Sequence, residues 1–275
     1  MRRSALFFIL VFALVQVEAQ KPEYLAFVKS EARLQSFFEE LYSDSLSDGD
    51  VLLDSIRREM KEVLSKEGSM EFPWKRLNRI GVITSDDGKL RIFTWHVMDD
   101  YDHYRYFGYI QIALKKGRVK LFELHDNVKA QRGVMKLEQS DADWYGKLYY
   151  QIITSRYKRK TYYTLMGMDF NDSRSNIKSV EVMDIQRNSP RFVRSLFFNG
   201  RDFVDRLVLE YADQVAISVR YDPGLGMITF DHLVPFHPIY QKNFEFYGPD
   251  GSYDGLEFDG RHWLYREDID ARNLD

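Results

Sequence analysis

Residues 215–235, VAISVRYDPGLGMITFDHLVP, decide the fold class. Val215, Ile217 and Val219 alternate with small or polar residues, which is the period of a strand that buries one face. The alternation breaks at Pro223-Gly224, a pair that favours a turn, and a second apolar strand follows. This stretch therefore predicts two antiparallel strands that are joined by a tight hairpin turn.

The same signals extend from Arg79 to Arg266. Runs of β-branched and aromatic residues are separated by short turns that contain glycine, at Asp87-Gly88, Lys116-Gly117, Asn199-Gly200 and Asp259-Gly260. About 13 strands of ordinary length fit between these turns. The sequence predicts a mainly β fold over residues 71–275, with an antiparallel sheet arranged as a curled sheet, a sandwich or an open barrel.

Residues 20–70 show a helical period instead. A first helix is predicted from Pro22 to about Tyr42, because proline suits a first helical turn. Asp50 can cap a second helix, which we expect to end at Gly68. The apolar stripes of the two helices are Tyr24, Phe27, Val28, Leu34, Phe38 and Leu41, and then Leu52, Ile56, Met60, Val63 and Leu64. We predict a helical hairpin that packs on the β domain.

Residues 1–19 have the layout of a secretory signal peptide. Arg2 and Arg3 precede an uninterrupted apolar run over residues 5–15, and Val17-Glu18-Ala19 places small residues at a cleavage site. We expect cleavage there and export to the periplasm or the medium, with an uncleaved N-terminal anchor as the alternative. No later stretch of the sequence is long and apolar enough to predict a transmembrane helix.

The composition excludes several classes of protein. The 275-residue chain has no cysteine, which rules out disulfides and thiolate metal sites and fits an exported bacterial protein. Its 39 basic and 42 acidic side chains give a net charge of −3, which argues against broad electrostatic binding to nucleic acid. The chain carries no phosphate-binding loop, dinucleotide fingerprint, zinc-protease motif or nucleophile elbow, so we expect no cofactor.

The C-terminal third carries a recognisable series of segments. They are Leu209–Ala212, Ile217–Asp222, Phe230–Pro235, Phe246–Asp254, Trp263 and Arg266–Asn273, with Lys89–Trp95 and Tyr163–Gly167 upstream. In these segments the chain resembles a family of uncharacterised secreted proteins from Bacteroidota-type bacteria. The resemblance implies export and a shared fold, and it supplies no activity. Bacteria of that group can glycosylate exported proteins at Asp-Ser-apolar triplets, and Asp44-Ser45-Leu46 matches, which makes Ser45 a candidate site.

Two polar segments hold candidate reactive groups. Imidazoles and carboxylates that could bind a divalent metal occur together at His96, Asp99, Asp100 and His103. The alternative is a solvated loop between two strands. An acid–base set is offered by Asp231, His232 and His237. There the alternative is a turn next to a histidine that bonds to the backbone.

Tyrosines are dense along several predicted strands. Exposed rings on a sheet can stack on sugars or anchor a protein partner, and the candidates are Tyr101, Tyr104, Tyr106, Tyr149 and Tyr163. Core packing is the alternative for these rings. We therefore hypothesise an exported binding or structural module whose partner is an envelope protein or a glycan. A hydrolase of glycans or esters, using the carboxylates and histidines of the two polar segments, is the alternative function.

Overall fold

The fold was obtained as a computed structural model, which describes residues 22–43, 49–99, 103–127, 135–136 and 139–271. The chain divides into two compact units. One comprises Met1–Arg79 together with Ala113–Leu121, and the other comprises Ile80–Ile112 together with Phe122–Asp275. The predicted signal peptide, Ser45, Asp100 and Tyr101 all lie outside the described residues.

The first unit is built on two helices, as the sequence predicts. Helix α1 spans Pro22–Leu41 and helix α2 spans Gly49–Leu64, and the two helices contact each other. Helix α2 ends before Gly68, whose positive φ of 83° lets the chain reverse after a last turn. The predicted Ile56, Met60, Val63 and Leu64 of α2 are buried, and Leu53 is buried in place of the predicted Leu52, which is half-buried.

Fifteen strands occur in the described residues. Their bounds are β1 Gly81–Thr84, β2 Leu90–Met98, β3 Tyr104–Ala113, β4 Val119–His125, β5 Leu148–Tyr157, β6 Lys160–Asp169, β7 Ser175–Gln186, β8 Ser189–Phe192, β9 Phe197–Phe198, β10 Phe203–Val204, β11 Arg206–Ala212, β12 Val219–Asp222, β13 Met227–Pro235, β14 Tyr247–Phe258 and β15 Trp263–Arg266. Three short 3-10 turns lie at Lys115–Gly117, Pro238–Tyr240 and Phe244–Phe246.

The strands form three sheets. Their orders are β1-β2-β3-β4, then β11-β7-β6-β5 with β8 beside β7, and then β10-β9-β15-β14-β13-β12. The pairings are antiparallel except for β9 with β15, which is parallel. In the part of the chain that the structure describes, no sheet closes on itself. The predicted mainly β, antiparallel fold with two preceding helices is confirmed.

Two of the sheets pack face to face around the main core of the second unit. Val180, Val182 and Leu207 of the β5–β6–β7–β11 sheet contact Ile228 and Phe230 of the six-stranded sheet in one buried cluster. Because side chains alternate along a strand, the neighbours of Val180 and Val182 point to the opposite face of the first sheet. That opposite face carries the polar cluster described below.

The hairpin that the sequence predicts over residues 215–235 exists, but its first strand is shorter. Strand β12 begins at Val219, whereas Val215 and Ile217 lie on the connection from β11. Strands β11 and β12 belong to different sheets, so the chain crosses between sheets at this point and has no ladder partner there. The turn at Pro223-Gly224 closes as predicted, with the N–H of Gly226 donating to the carbonyl of Asp222 at 2.8 Å.

Strands β13 and β14 continue beyond their other partners. The ladder of β12 stops at Phe230 of β13, and that of β15 stops at Gly255 of β14. Past a register shift between Asp231 and Leu233, the two strands pair only with each other, as far as Pro235 and Tyr247. We call residues 233–249 the aromatic arm.

Candidate functional site

Strand register gathers charged residues on the face of the five-stranded sheet that points away from the core. Glu181 of β7 lies directly opposite Arg206 of β11 and also opposite Leu165 of β6. Tyr149 of β5 lies opposite Gly167 of β6. A bulge follows Tyr149. The N–H of Tyr149 donates to Thr94 Oγ1 at 3.0 Å instead of to a ladder partner.

Lys147, Tyr149, Glu181 and Arg206 form what we call the buried charge cluster, since all four side chains are almost fully buried. Lys147 Nζ donates to Glu181 Oε2 at 2.9 Å and to Ser179 Oγ at 3.1 Å. The hydroxyl of Tyr149 donates to the other carboxylate oxygen of Glu181. Both oxygens of Glu181 are therefore engaged by donors.

The electrostatics of the cluster favour a charged Glu181 and a neutral Tyr149. Burial lowers the pKa of Lys147 to about 8, although the charge of Glu181 opposes this shift. Burial would raise the pKa of Glu181, but Lys147 and Arg206 outweigh it and hold that pKa below its ordinary value. Burial and the Glu181 charge raise the pKa of Tyr149 far above its ordinary value, so its hydroxyl remains a donor.

Gly167 makes room for the lysine stem. A Cβ at this position would lie 2.7 Å from Cδ of Lys147 and 2.9 Å from its Cγ. Glycine is required here by the close approach of the Lys147 side chain, which crosses β6 to reach Glu181 on β7.

A small cavity of about 160 Å³ adjoins the cluster. Its walls include Glu181 and Arg206, and also Arg194 and Asp205, whose side chains approach each other to 3.4 Å. Pockets for drug-sized ligands usually span about 300–1,000 Å³, so this one is too small for them. The carboxylate of Glu181 already accepts bonds from Lys147, Tyr149 and Gln139, so we interpret the cluster as a buried crosslink between strands.

The predicted acid–base residues do not act on one another. His232 Nδ1 lies 2.7 Å from Asp254 Oδ2, and Tyr265 donates to the same oxygen at 2.5 Å. Asp231 accepts the N–H of Ser218. His237 accepts the N–H of Ile239 at 3.3 Å and starts a 3-10 turn. The carboxylate partner of His232 is thus Asp254, which lies on the neighbouring strand β14.

The described metal candidates, His96, Asp99 and His103, form no common site. His96 lies on β2 against Tyr104, Tyr106 and Phe170. Asp99 accepts the N–H of His103 at 2.9 Å, which is the bonding of a polar turn. Within the described residues, no three acidic or histidine side chains converge in a way that could hold a metal ion.

The expectation of an exposed tyrosine face is wrong for three of its members. Tyr106, Tyr149 and Tyr163 are each only 1% exposed, so their rings contact the interior. Their hydroxyls are used inside the unit: that of Tyr106 accepts the N–H of Phe170, and that of Tyr163 donates to Asp87. Tyr104 is half-buried against His96 and Phe170. Core packing with bonded hydroxyls explains the three buried rings.

Exposed aromatic surface occurs instead on the aromatic arm. Phe236, Ile239, Tyr240 and Phe244 are 49%, 77%, 36% and 48% exposed. Sequence reasoning missed this surface because the residues have no regular period and resemble core residues. The available signal was a dense run of rings between two predicted strands, interrupted by Pro238.

The aromatic arm is a fixed structure despite its exposure. Tyr240 stacks on Phe246 with ring centroids 4.3 Å apart. A Cβ at Gly248 would lie 2.5 Å from Cε1 of Phe236, so the Phe236 ring covers this glycine. Glu245 forms an ion pair with Arg174 at 2.9 Å, which ties the arm to the segment that precedes β7.

Comparison of the chain with protein-family models, with curated proteins and with solved structures finds no match. The class that the fold defines, in the described residues, is a mainly β protein with three open sheets and one long hairpin that carries exposed aromatic rings. Its function must therefore be argued from its own surfaces.

Proposed function

We propose that this protein is a non-enzymatic binding module of the cell envelope or the exterior, and that the aromatic arm is its contact surface. The observation that carries the proposal is the exposure of Phe236, Ile239 and Phe244 on a hairpin that is held in place by its own contacts. Several exposed large apolar side chains on one well-ordered element are typical of an interaction site.

Other features of the chain also support a binding module. The histidines that a hydrolase would combine are engaged separately, His232 with Asp254 and His237 with the backbone of its own turn. The exported location is supported by the leader-like sequence of residues 1–19. Among the helices that the structure describes, none has the length and apolar character that crossing a bilayer requires.

The test is retention of the purified protein by a cell-envelope fraction that contains membranes, wall polymers and their bound proteins. We expect the double variant Ile239→Ser/Phe244→Ser to lose about 100-fold in affinity. Each apolar side chain contributes about 1.5 kcal/mol when it is buried, and about 1.4 kcal/mol corresponds to a tenfold change.

Leu225 provides a matched control, because it is 44% exposed in the turn between β12 and β13. Leu225→Ser removes a comparable apolar side chain away from the arm and should leave retention unchanged. Equal retention of the double variant and the wild-type protein would refute the proposal. Equal losses in Leu225→Ser would show that binding is nonspecific.

One observation favours the alternative, a hydrolase of esters or glycans. His232 is oriented by the buried Asp254, and hydrogen bonding to Asp254 raises the pKa of His232. An imidazole held in this way by a carboxylate is the arrangement of a general base. Turnover of ester or glycan substrates that disappears in His232→Ala would support this alternative.

A further inference from the structure

We propose that the aromatic arm binds the surface of an anionic phospholipid bilayer, with the side chains of its tip among the lipid headgroups. This inference rests on the proposed function, because it names the partner of the same surface.

The outer side of the tip has the chemistry of a membrane interface. Ile239 is the most exposed of the large apolar residues in the described part of the chain, and Tyr240 and Phe244 flank it. Aromatic rings and branched aliphatic side chains are the groups that settle between headgroups and acyl chains. Ring contacts within the arm, between Tyr240 and Phe246 and between Phe244 and Tyr247, hold these partly exposed side chains in place.

The backbone of the tip supplies its own hydrogen bonds. Every N–H from residue 239 to residue 243 has an acceptor within the arm: Ile239 donates to His237 Nδ1, Tyr240 to the His237 carbonyl, Gln241 to the Pro238 carbonyl, Lys242 to the Tyr247 hydroxyl and Asn243 to the Tyr240 carbonyl. Pro238 has no N–H to satisfy. Backbone donors that lack partners are costly in lipid, whereas a protein partner that adds a strand needs free donors. The tip therefore fits a lipid surface better than a partner that adds a strand.

The charge of the tip complements anionic lipid. Lys242 is exposed at the apex, between Tyr240 and Phe244. Glu245 is the one acidic residue between Phe236 and Gly248, and it is paired with Arg174, whose side chain is itself mostly exposed. The next acidic residue along the chain, Asp250, follows the base of the arm, where Pro249 pairs with Leu233.

The first experiment measures cosedimentation of the protein with synthetic vesicles of phosphatidylcholine and phosphatidylglycerol. All variants share the same N terminus, so differences between them report on the arm. We expect Ile239→Ser/Phe244→Ser to weaken binding at least about tenfold and Leu225→Ser to leave it unchanged. Lys242→Gln should weaken binding about fivefold on anionic vesicles and have no effect on pure phosphatidylcholine.

The second experiment locates the tip directly. The chain has no cysteine, so Ile239→Cys can be labelled at one position with a fluorophore that is sensitive to its environment. On anionic vesicles we expect its emission to shift to the blue and to increase. The same label at Leu225→Cys should not respond.

The outcomes separate the two proposals. The protein could be retained by the envelope fraction through its arm and yet not bind vesicles. This result would overturn the lipid assignment and leave the binding-module proposal intact. It would point to a protein or glycan partner. Vesicle binding that the arm variants do not alter would also overturn the lipid assignment. If the wild-type protein binds neither the envelope fraction nor the vesicles, both proposals are overturned.

Discussion

Lys147 and Glu181 are almost completely buried, and each stabilises the charged form of the other, with Arg206 as a second positive charge beside Glu181. Removing one partner of such a pair leaves an isolated charge in the interior, which is far less favourable than the pair itself. The carboxylate has two further donors, Tyr149 and Gln139, but neither carries a compensating charge at neutral pH. Single residues of the cluster should therefore be much less tolerant of substitution than the cluster as a whole.

We expect Lys147→Met to lower the free energy of unfolding by about 3 kcal/mol, because Glu181 loses its ion-pair partner and keeps only the charge of Arg206 to offset its own. The measurement is urea denaturation followed by circular dichroism. The double variant Lys147→Met/Glu181→Gln removes both charges and should recover part of the loss. A loss below about 1 kcal/mol in the single variant would contradict the assignment of an ion pair.

His232 provides a prediction about pH. Hydrogen bonding to Asp254 raises its pKa above 6.5, although burial acts in the opposite direction. The folded state therefore holds the proton more tightly than the unfolded chain. This contribution is complete below the unfolded pKa of 6.5 and is lost as the pH rises through the folded pKa.

Comparison of the wild-type protein with His232→Gln isolates that contribution. We expect the stability difference between the two to be larger at about pH 5.5 than at about pH 9. Nuclear magnetic resonance titration of the His232 ring should give a pKa above 6.5. A stability difference that grows with pH would show that the imidazole is bound in its neutral form.

At the scale of elements, the aromatic arm depends on the fit between the Phe236 ring and Gly248. The two strands of the arm have no other ladder partner, so side-chain contacts must fix its conformation. A glycine covered by an aromatic ring across a strand pair is one such contact. A single methyl group added at Gly248 would therefore displace the Phe236 ring and change the surface that the arm exposes.

We expect Gly248→Ala to displace the Phe236 ring and to weaken envelope retention by about tenfold, with a smaller effect on the free energy of unfolding. The substitution leaves the main core untouched, because Gly248 lies outside the core cluster. In a Phe236→Ser background, Gly248→Ala should have little further effect, since the clashing ring is gone. Additive losses in the two variants would argue against this contact.

Local signals account for what the sequence predicted at this scale. The helices and the Pro223-Gly224 turn depend on neighbours along the chain, so periodicity and turn residues were sufficient. The start of β12 was placed too early because Ile217 is buried without belonging to a ladder. The exposure of Ile239 and the pairing of Glu181 with Lys147 depend on where distant strands end or meet, which no local pattern encodes.

At the scale of the whole molecule, the two candidate functions use different surfaces. The binding module uses the tip of the aromatic arm, whereas the hydrolase would use His232 near the register shift at its base. The variant His232→Ala should therefore retain envelope binding within about twofold, because His232 lies outside the aromatic arm, whereas His237 caps the turn at its tip. Binding is measured with the envelope fraction and turnover with ester and glycan substrates. Loss of turnover with retained binding would assign the protein both activities.

The register shift between Asp231 and Leu233 divides the β13–β14 hairpin into two segments with different ladder partners. On one side of the shift, both strands form ladders with neighbouring strands. On the other side, they form a ladder only with each other. No neighbouring ladder holds the outer segment, but its Phe244–Phe246 turn packs against β7 and β11 and Glu245 pairs with Arg174. A change in the length of the outer segment would therefore leave the neighbouring ladders intact but would move this packing off its place on β7 and β11, so the length of the hairpin and its attachment to the sheet are coupled.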